Sequence, residues 1–509
     1  MAVFVIRRMI ASLLILLAST FIVFVLVANS GDPLGDLKTD QSPNRAQKIA
    51  QRTADLHLDQ SVPRRYVGWL EGVGKCVMPG QKCDLGTNRQ HQDVTTLLDQ
   101  AMGVTLRLVL VATLLAILIG VTFGIISAIR QYSGFDYTIT FAAFVFFSLP
   151  IFWVSVLLKQ YLAIRFNNWL WDPRISIPWL LGLSLASAVT WGALLGGDRR
   201  RRWTVRGIAF VLSALILEYM SLSKWFKTPS LGPVLVTLFC AGSAFGVTWL
   251  VAGLRHRSVL YASLASAGVG VVAQFALLPV LDSPSWSGLA LLALVTVAVG
   301  IGLGYLLGGL DRAQAARAAA LTGLLCGFWI MVDRTLDRVP HYSMQVNGRL
   351  MATISANTPN LNGNFYDFLI DDLTHLVLPT IAIMLISFAT YTRYTRSTML
   401  EVMNQDYIRT ARAKGLTERT VIMRHGFRNA LIPVTTLMAF DLGNVIAGAV
   451  ITENVFGWQG MGSLFVHALT VTDPAPVMAF FIVTAASIVV FNMLADLAYA
   501  YLDPRIRLS

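Results

Sequence analysis

The sequence predicts an all-α, polytopic membrane protein, and three observations predict it. Of 509 residues, 55% are apolar and only 13% are charged, about half the ~25% of a soluble domain. The apolar residues gather in blocks of about 20, enough to cross ~30 Å of hydrocarbon as helix. Lys and Arg concentrate in short connections between alternate blocks, as inner loops of a multi-pass chain do. A soluble surface cannot be built from so few charges, and nothing repeats as in collagen or a coiled coil.

Twelve stretches read as transmembrane helices: Met9–Ala28, Leu108–Ile129, Tyr137–Leu158, Ile175–Gly197, Gly207–Ser223, Thr228–Leu254, Ser258–Leu281, Ser283–Leu310, Ala318–Val332, Leu373–Thr392, Asn429–Thr452 and Pro474–Ala495. Gly207–Ser223 is interrupted by Glu218, and Ala318–Val332 is short for a span. The first stretch follows Arg7 and Arg8. Its apolar run exceeds the ~7–15 residues of a signal-peptide core, so it reads as a retained anchor with its N-terminus inside.

That start fixes the rest. Arg130, Arg199–Arg202 with Arg206, Arg255 and Arg257, Arg312 and Arg317, the segment 393–428, and Arg505 and Arg507 all fall on the inner side. Both termini are then cytoplasmic, and the formal charge of +12 belongs to inner loops rather than to a nucleic-acid surface. The polar segment 29–107 lies outside, as long loops are exempt from the charge rule. It is at most a small folded cap over Asn44–Leu58, Pro63, Tyr66, Trp69 and Leu70. Within it, Cys76 and Cys83 flank the turn-forming Pro79-Gly80 on the oxidising side, which favours a disulfide. Cys240 and Cys326 fall in spans and should stay reduced.

Small residues recur every four positions at Gly300, Gly304 and Gly308, and at Gly120 and Gly124, a spacing that lets helix backbones approach closely in lipid. Pro150 interrupts a span and should kink it. Asp441 lies mid-span, where an ionised acid costs roughly 2.5–3.5 kcal/mol. It should therefore face protein or water, and it is read as lining an aqueous path with Asn444 one turn on; the alternative is a hydrogen bond to a partner subunit.

The motifs of bond chemistry are missing. No phosphate-binding loop, His-Glu-x-x-His pair, Cys-x-x-Cys pair or Gly-x-Ser-x-Gly elbow occurs, so neither a metal centre nor a catalytic set is expected. The informative segment is 393–428, with eight basic and three acidic residues. Good helix formers run from Tyr407 to Lys414, and Gly415 follows as a terminator. Ala411 and Gly415 share a face that a partner's surface is expected to approach closely.

This segment resembles the cytoplasmic signature of ABC importer permeases, in the dipeptide/oligopeptide/nickel branch. The resemblance is carried by Asp406-Tyr407-Ile408-Arg409-Thr410-Ala411-Arg412-Ala413-Lys414-Gly415-Leu416, then Arg424-His425 and Arg428-Asn429-Ala430-Leu431-Ile432-Pro433. Arg409-Thr410-Ala411 stands where the general signature has Glu-Ala-Ala. Further matches are Gly31-Asp32-Pro33, Leu56-His57-Leu58-Asp59, Ser148-Leu149-Pro150-Ile151-Phe152-Trp153, Thr452-Glu453-Asn454-Val455-Phe456 followed by Trp458, Gly460 and Gly462, then Asn492, Asp496 and the tail Asp503-Pro504-Arg505-Ile506-Arg507.

The resemblance implies a six-helix type I permease core. Residues 175–332 have no counterpart in it and form an inserted bundle of about six spans. The expected organisation is an N-terminal helix 1–28, an outer cap 29–107, core helices two and three in 108–174, the insertion 175–332, an outer segment 333–372, and core helices four to six in 373–509. The insertion must cross an even number of times, because the coupling segment has to reach the cytoplasm, and the basic clusters agree with six crossings.

The implied activity is half of the translocation pathway of an ATP-driven importer in a prokaryotic cytoplasmic membrane. Its implied partners are a second permease, two cytoplasmic ATPases and an extracytoplasmic binding protein that delivers peptide or a related solute. ATP and Mg would sit on the ATPases, and this chain would bind no cofactor. Arg409, Thr410, Ala411, Arg412, Lys414, Gly415 and Leu416 would couple to the ATPase. Ser148, Pro150, Asp441, Asn444 and Glu453 are the candidates for the translocation path. The competing reading is a secondary transporter or channel, which needs intramembrane ion-relay groups that the spans largely lack.

Overall fold

The computed structural model describes residues 2–39, 41–444 and 449–502. The described residues are helical apart from loops and one isolated bridge between Thr87 and Asp93. The expected tail motif 503–507 lies outside them. The chain forms two compact units, Met1–Gln160 with Thr353–Ala356 and Leu376–Ser509, and Tyr161–Ala352 with Asn357–His375.

In the first unit, the helix Val94–Ile129 starts at Asp93, whose carboxylate accepts from Thr95 N, so its first turn is capped. Gly120 and Gly124 press it against Phe388–Arg396. A Cβ on Gly124 would lie 2.8 Å from Thr392 O, and one on Gly120 would lie 2.7 Å from Tyr391 Cβ. Tyr137–Leu158, expected as one span, is broken: Gly134–Ser148 and Ile151–Leu170 meet at 103°. The break falls at Leu149-Pro150, where both residues are extended, because Pro cannot donate to the preceding turn and biases the residue before it away from helix.

The cap helices Arg45–Asp55 and Val62–Lys75 precede a loop closed by the Cys76–Cys83 disulfide. Tyr66 anchors the second of them to the first span, bonding Thr20 Oγ1 at 2.9 Å and Leu17 O at 3.1 Å. Phe24, Trp69 and Met478 pack around its ring.

The second unit holds a hairpin and a four-helix bundle. The hairpin helices Ile177–Leu195 and Arg199–Leu222 pack chiefly on one another, with Ser213 Oγ donating to Ser187 Oγ at 2.6 Å. The bundle comprises Gly232–Val251, Arg257–Ala276, Trp286–Leu307 and the 34-residue Arg312–Gln345. The Gly300/Gly304/Gly308 ladder is its tightest seam: a Cβ on Gly304 would sit 2.2 Å from Ala316 Cα, and one on Gly300 would sit 2.6 Å from Ala320 Cα. Asp333 caps Gly232–Val251, accepting from Leu231 N at 3.0 Å and Gly232 N at 2.8 Å, a carboxylate at the positive end of a helix. Cys240 and Cys326 are free and buried.

Ala318–Val332, short as a span by sequence, lies inside Arg312–Gln345, which continues well into the expected outer segment. Among the described residues nine helices are long and apolar enough to cross a membrane, or ten if the bent pair counts as one span. The expected count of twelve is not confirmed by these helices. The other two stretches hold the helices Ile177–Leu195 and Arg428–Asn444, and the stretch Asn429–Thr452 includes residues 445–448, which lie outside the described set.

Candidate coupling segment and translocation path

The long helix Phe365–Met403 ends, Gln405 is extended, and an eight-residue helix Asp406–Ala413 begins. It ends at Gly415, whose φ of +74° is left-handed and costs a glycine little. Gly415 N donates to Arg412 O at 2.9 Å, closing one of the end carbonyls. Thr417 then starts the next turn, accepting from Thr420 N at 3.4 Å.

This segment has a core of its own. Ile408, Ala411 and Val421 are buried together, with Met403 packed against them. Ala411, expected on a face that a partner approaches, packs into this core. Ile408 and Ala411 are three apart, so one helix face is committed to packing. The positions around that face are exposed: Tyr407, Arg409, Thr410, Arg412, Lys414, Gly415 and Leu416. Arg412 is engaged within the segment, its Nη2 2.7 Å from Glu418 Oε1 and its Nε 3.3 Å from Oε2. Their mutual hydrogen bonds hold the Glu418 carboxyl below its ordinary range and the Arg412 guanidinium above its own. Arg409 lies 3.6 Å from Asp406, both well exposed. Tyr407, Thr410 and Lys414 belong to the rest of the segment's exposed surface.

The other predicted positions are dispersed. Asp441, half-buried, accepts a 2.7 Å hydrogen bond from Tyr391 Oη, so its mid-span acid is satisfied within the chain. Asn444 follows on the same helix. Ser148 and Pro150 flank the break in the bent pair and are exposed, with Ser148 Oγ donating to Phe144 O at 2.8 Å. No hydrogen bond among the described residues links Ser148, Asp441 and Glu453 to one another.

Glu453 sits in a sealed polar nest. It is fully buried, accepting from Thr105 Oγ1 at 2.6 Å and Ser463 N at 3.1 Å. Burial pushes its carboxyl above the ordinary range while these bonds pull it back. Two glycines make room: a Cβ on Gly460 would lie 2.5 Å from Thr105 Oγ1, and one on Gly462 would lie 3.0 Å from Glu453 Oε2. Trp458 N donates to Glu453 O at 2.8 Å, and the buried Trp458 ring lies under Arg107, 5.7 Å away. Glu453-to-Gly462 is thus one folded unit, which sequence reading saw as matched letters without their geometry.

Sequence reading also missed Asp136. Arg396 reaches it with two bonds, 2.8 and 3.0 Å, and Tyr132 N adds a third at 3.0 Å. Its one available signal was an acid in the first turn of a helix after a basic connection. Among the described residues no group of three or more His, Cys, Asp or Glu could hold a metal ion.

Residues 120–508 match the family described as "Binding-protein-dependent transport system inner membrane component", and residues 1–109 match its N-terminal companion. Similar relatives include the oligopeptide transport system permease protein OppB of Mycobacterium tuberculosis, 43% identical over 30% of this chain and 47% of its own. AppB of Bacillus subtilis, also an oligopeptide permease, is 43% identical over 32% and 50%. The dipeptide permease DppB of Escherichia coli K12 is 44% identical over 29% and 42%. The chain spans about half the length of the curated relatives it matches. With the family match covering most of the chain, the chain belongs to the family of binding-protein-dependent transport system inner membrane components.

Proposed function

We propose that this chain is one of two permease subunits of an ATP-driven importer, forming half of a path for peptides or a related small solute. The observation that carries the reading is the 406–427 segment. It is a short helix with its own buried core, presenting Tyr407, Thr410 and Lys414 outward, as a rigid transmitter between two proteins needs. The relatives' printed names supply the peptide class.

In this reading both termini and the 393–428 segment are cytoplasmic, and the cap with its disulfide is extracytoplasmic. A binding protein delivers the solute to the cap side, and two ATPases receive the Asp406–Ala413 helix. ATP and Mg stay on those ATPases, and this chain carries no hydrolytic site. Closing the ATPases moves the Asp406–Ala413 helix as a rigid body. Because it abuts Phe365–Met403 in sequence, that motion reaches the spans. Asp441 and Asn444 line the path, with the Asp441 carboxylate oriented by Tyr391. Ser148 and Pro150 place a helix break beside it, and Glu453 positions the loop at its rim.

Purification from native membranes tests this directly. ATPase subunits should accompany the chain, and solute-loaded binding protein should stimulate ATP hydrolysis. Solute uptake by vesicles that contain this chain and lack any ATPase would overturn the reading in favour of a secondary transporter.

A further inference from the structure

The second unit contains an apolar cavity of about 390 Å³ among Arg257–Ala276, Trp286–Leu307 and Arg312–Gln345. Its walls run from Ser266 to Leu277, from Leu289 to Val299 and from Gly323 to Met331. At ~1.5 Å rise per residue these walls are roughly 12–17 Å long, the depth of one leaflet of a ~30 Å hydrocarbon core. The cavity reaches the surface, because Val295, Leu324 and Phe328 line it and are exposed.

Water is a poor occupant. The lining hydroxyls are already spent: Ser266 Oγ donates to Ala319 O at 2.8 Å, Thr296 Oγ1 to Leu292 O at 2.7 Å, and Tyr366 Oη to Leu281 O at 2.7 Å. A buried water needs two to four polar partners, and apolar cavities stay dry or take apolar ligands.

Just beyond the lining residues Leu281 and Met331 stand Asp282 and Arg334. Arg334 lies one turn beyond Ile330 and Met331 on the same helix. It is about 33 Å along that helix from Arg312, so the two arginines bracket one hydrocarbon thickness. Its guanidinium is loosely held, 3.6 Å from Asp282 Oδ1 and 3.5 Å from Gln274 O, and its buried Nε has no hydrogen-bond acceptor. Asp282 beside it is 62% exposed. A phosphate suits Arg334, and an ammonium beyond that phosphate suits Asp282.

We propose that this cavity binds one acyl chain of a phosphatidylethanolamine from the leaflet on the Arg334 side, with its phosphate against Arg334 and its ammonium toward Asp282. The inserted bundle is then a lipid-binding module, a role that the six-helix core does not require.

The test uses the full chain in lipid nanodiscs holding phosphatidylethanolamine with a photoactivatable diazirine on one acyl chain, and maps cross-links by peptide mass spectrometry. Labels should concentrate on 266–277, 289–299 and 323–331 over the exposed hairpin helices. Gly327→Leu projects into the cavity from a site where an added Cβ meets nothing within 4 Å. It should lose about tenfold or more of the labelling, as expected when two or more methylenes lose their site. Ala293→Phe fills the opposite wall and should do the same, which covers the case that one variant folds poorly. Arg334→Ala should weaken labelling by phosphatidylethanolamine. Labels spread evenly over the spans, or unchanged in both filling variants, would overturn the site. Equal labelling by a phosphatidylglycerol probe would overturn the headgroup assignment.

Discussion

Arg396 holds Asp136 through two parallel bonds, Nε to Oδ1 at 2.8 Å and Nη2 to Oδ2 at 3.0 Å, and Asp136 is almost fully buried. The pair ties Phe365–Met403 to the first turn of Gly134–Ser148, across 260 residues of sequence. Asp136 also accepts from Ser127 Oγ and Tyr132 N, so its lone pairs are well used. This is the geometry in which a buried ion pair is costly to break from one side.

Arg396→Ala should therefore cost about 3–5 kcal/mol by leaving a buried carboxylate unpaired. Arg396→Lys keeps the charge but loses the planar fork and should fall between wild type and Ala. Thermal unfolding of purified protein in detergent measures the order. Equal midpoints for wild type and Arg396→Ala would show that the pair adds nothing.

The coupling segment separates packing from contact. Ala411 lies against Ile408 and Val421, so Ala411→Trp overpacks a small core and should destabilise the segment by roughly 1–3 kcal/mol. Lys414 is exposed and unburdened by packing, so Lys414→Glu should leave the fold intact and weaken ATPase docking. Limited proteolysis should nick 406–427 faster in Ala411→Trp alone, while ATPase co-purification should fall in both. Unchanged co-purification in Lys414→Glu would remove that face from the interface.

Much of this architecture was legible because its signals are local. Apolar blocks, basic connections, the Gly300/Gly304/Gly308 spacing and the Gly415 stop are each written within a few residues, and each appears in the structure where those residues stand. What stayed hidden depends on pairing across long separations. Asp136 meets Arg396 and Thr105 meets Glu453, and neither partner carries a mark that names the other. The packing of Ala411 stayed hidden for a related reason. Helical spacing shows which residues share a face, but the partner of that face, Val421, belongs to the next turn of chain. The break at Pro150 was foreseen as a kink, yet its 103° angle depends on how the following helix packs.

The Glu453 nest gives a paired test. Glu453→Gln keeps the shape and one acceptor oxygen, so it should be tolerated better than Glu453→Ala, which strands the hydroxyl of Thr105 and the amide of Ser463. An unsatisfied buried polar group costs about 1–3 kcal/mol. Gly460→Ala should damage the same unit from the other side, since its Cβ would fall 2.5 Å from Thr105 Oγ1 and 2.6 Å from Glu453 Oε1. Thermal midpoints should rank wild type, then Gln, then Ala. A Gly460→Ala protein as stable as wild type would mean the nest is looser than these distances.

Asp441 and Tyr391 separate a path role from a structural one. Tyr391 is fully buried and donates to Asp441 at 2.7 Å, so Tyr391→Phe removes one bond and leaves the acid without its orienting partner. Losing a hydrogen bond to a charged group costs about 1.5–3 kcal/mol where the group stays ionised. Asp441→Asn keeps an acceptor for Tyr391 and removes only the charge. If Asp441 meets a cationic group of the solute, Asp441→Asn should lower uptake while subunit assembly and thermal stability hold. If the acid serves packing alone, Tyr391→Phe should lower stability and Asp441→Asn should change neither property. Uptake kinetics in reconstituted vesicles, read beside the unfolding midpoint of each variant, decide between them. Unaltered uptake in Asp441→Asn takes the residue off the path.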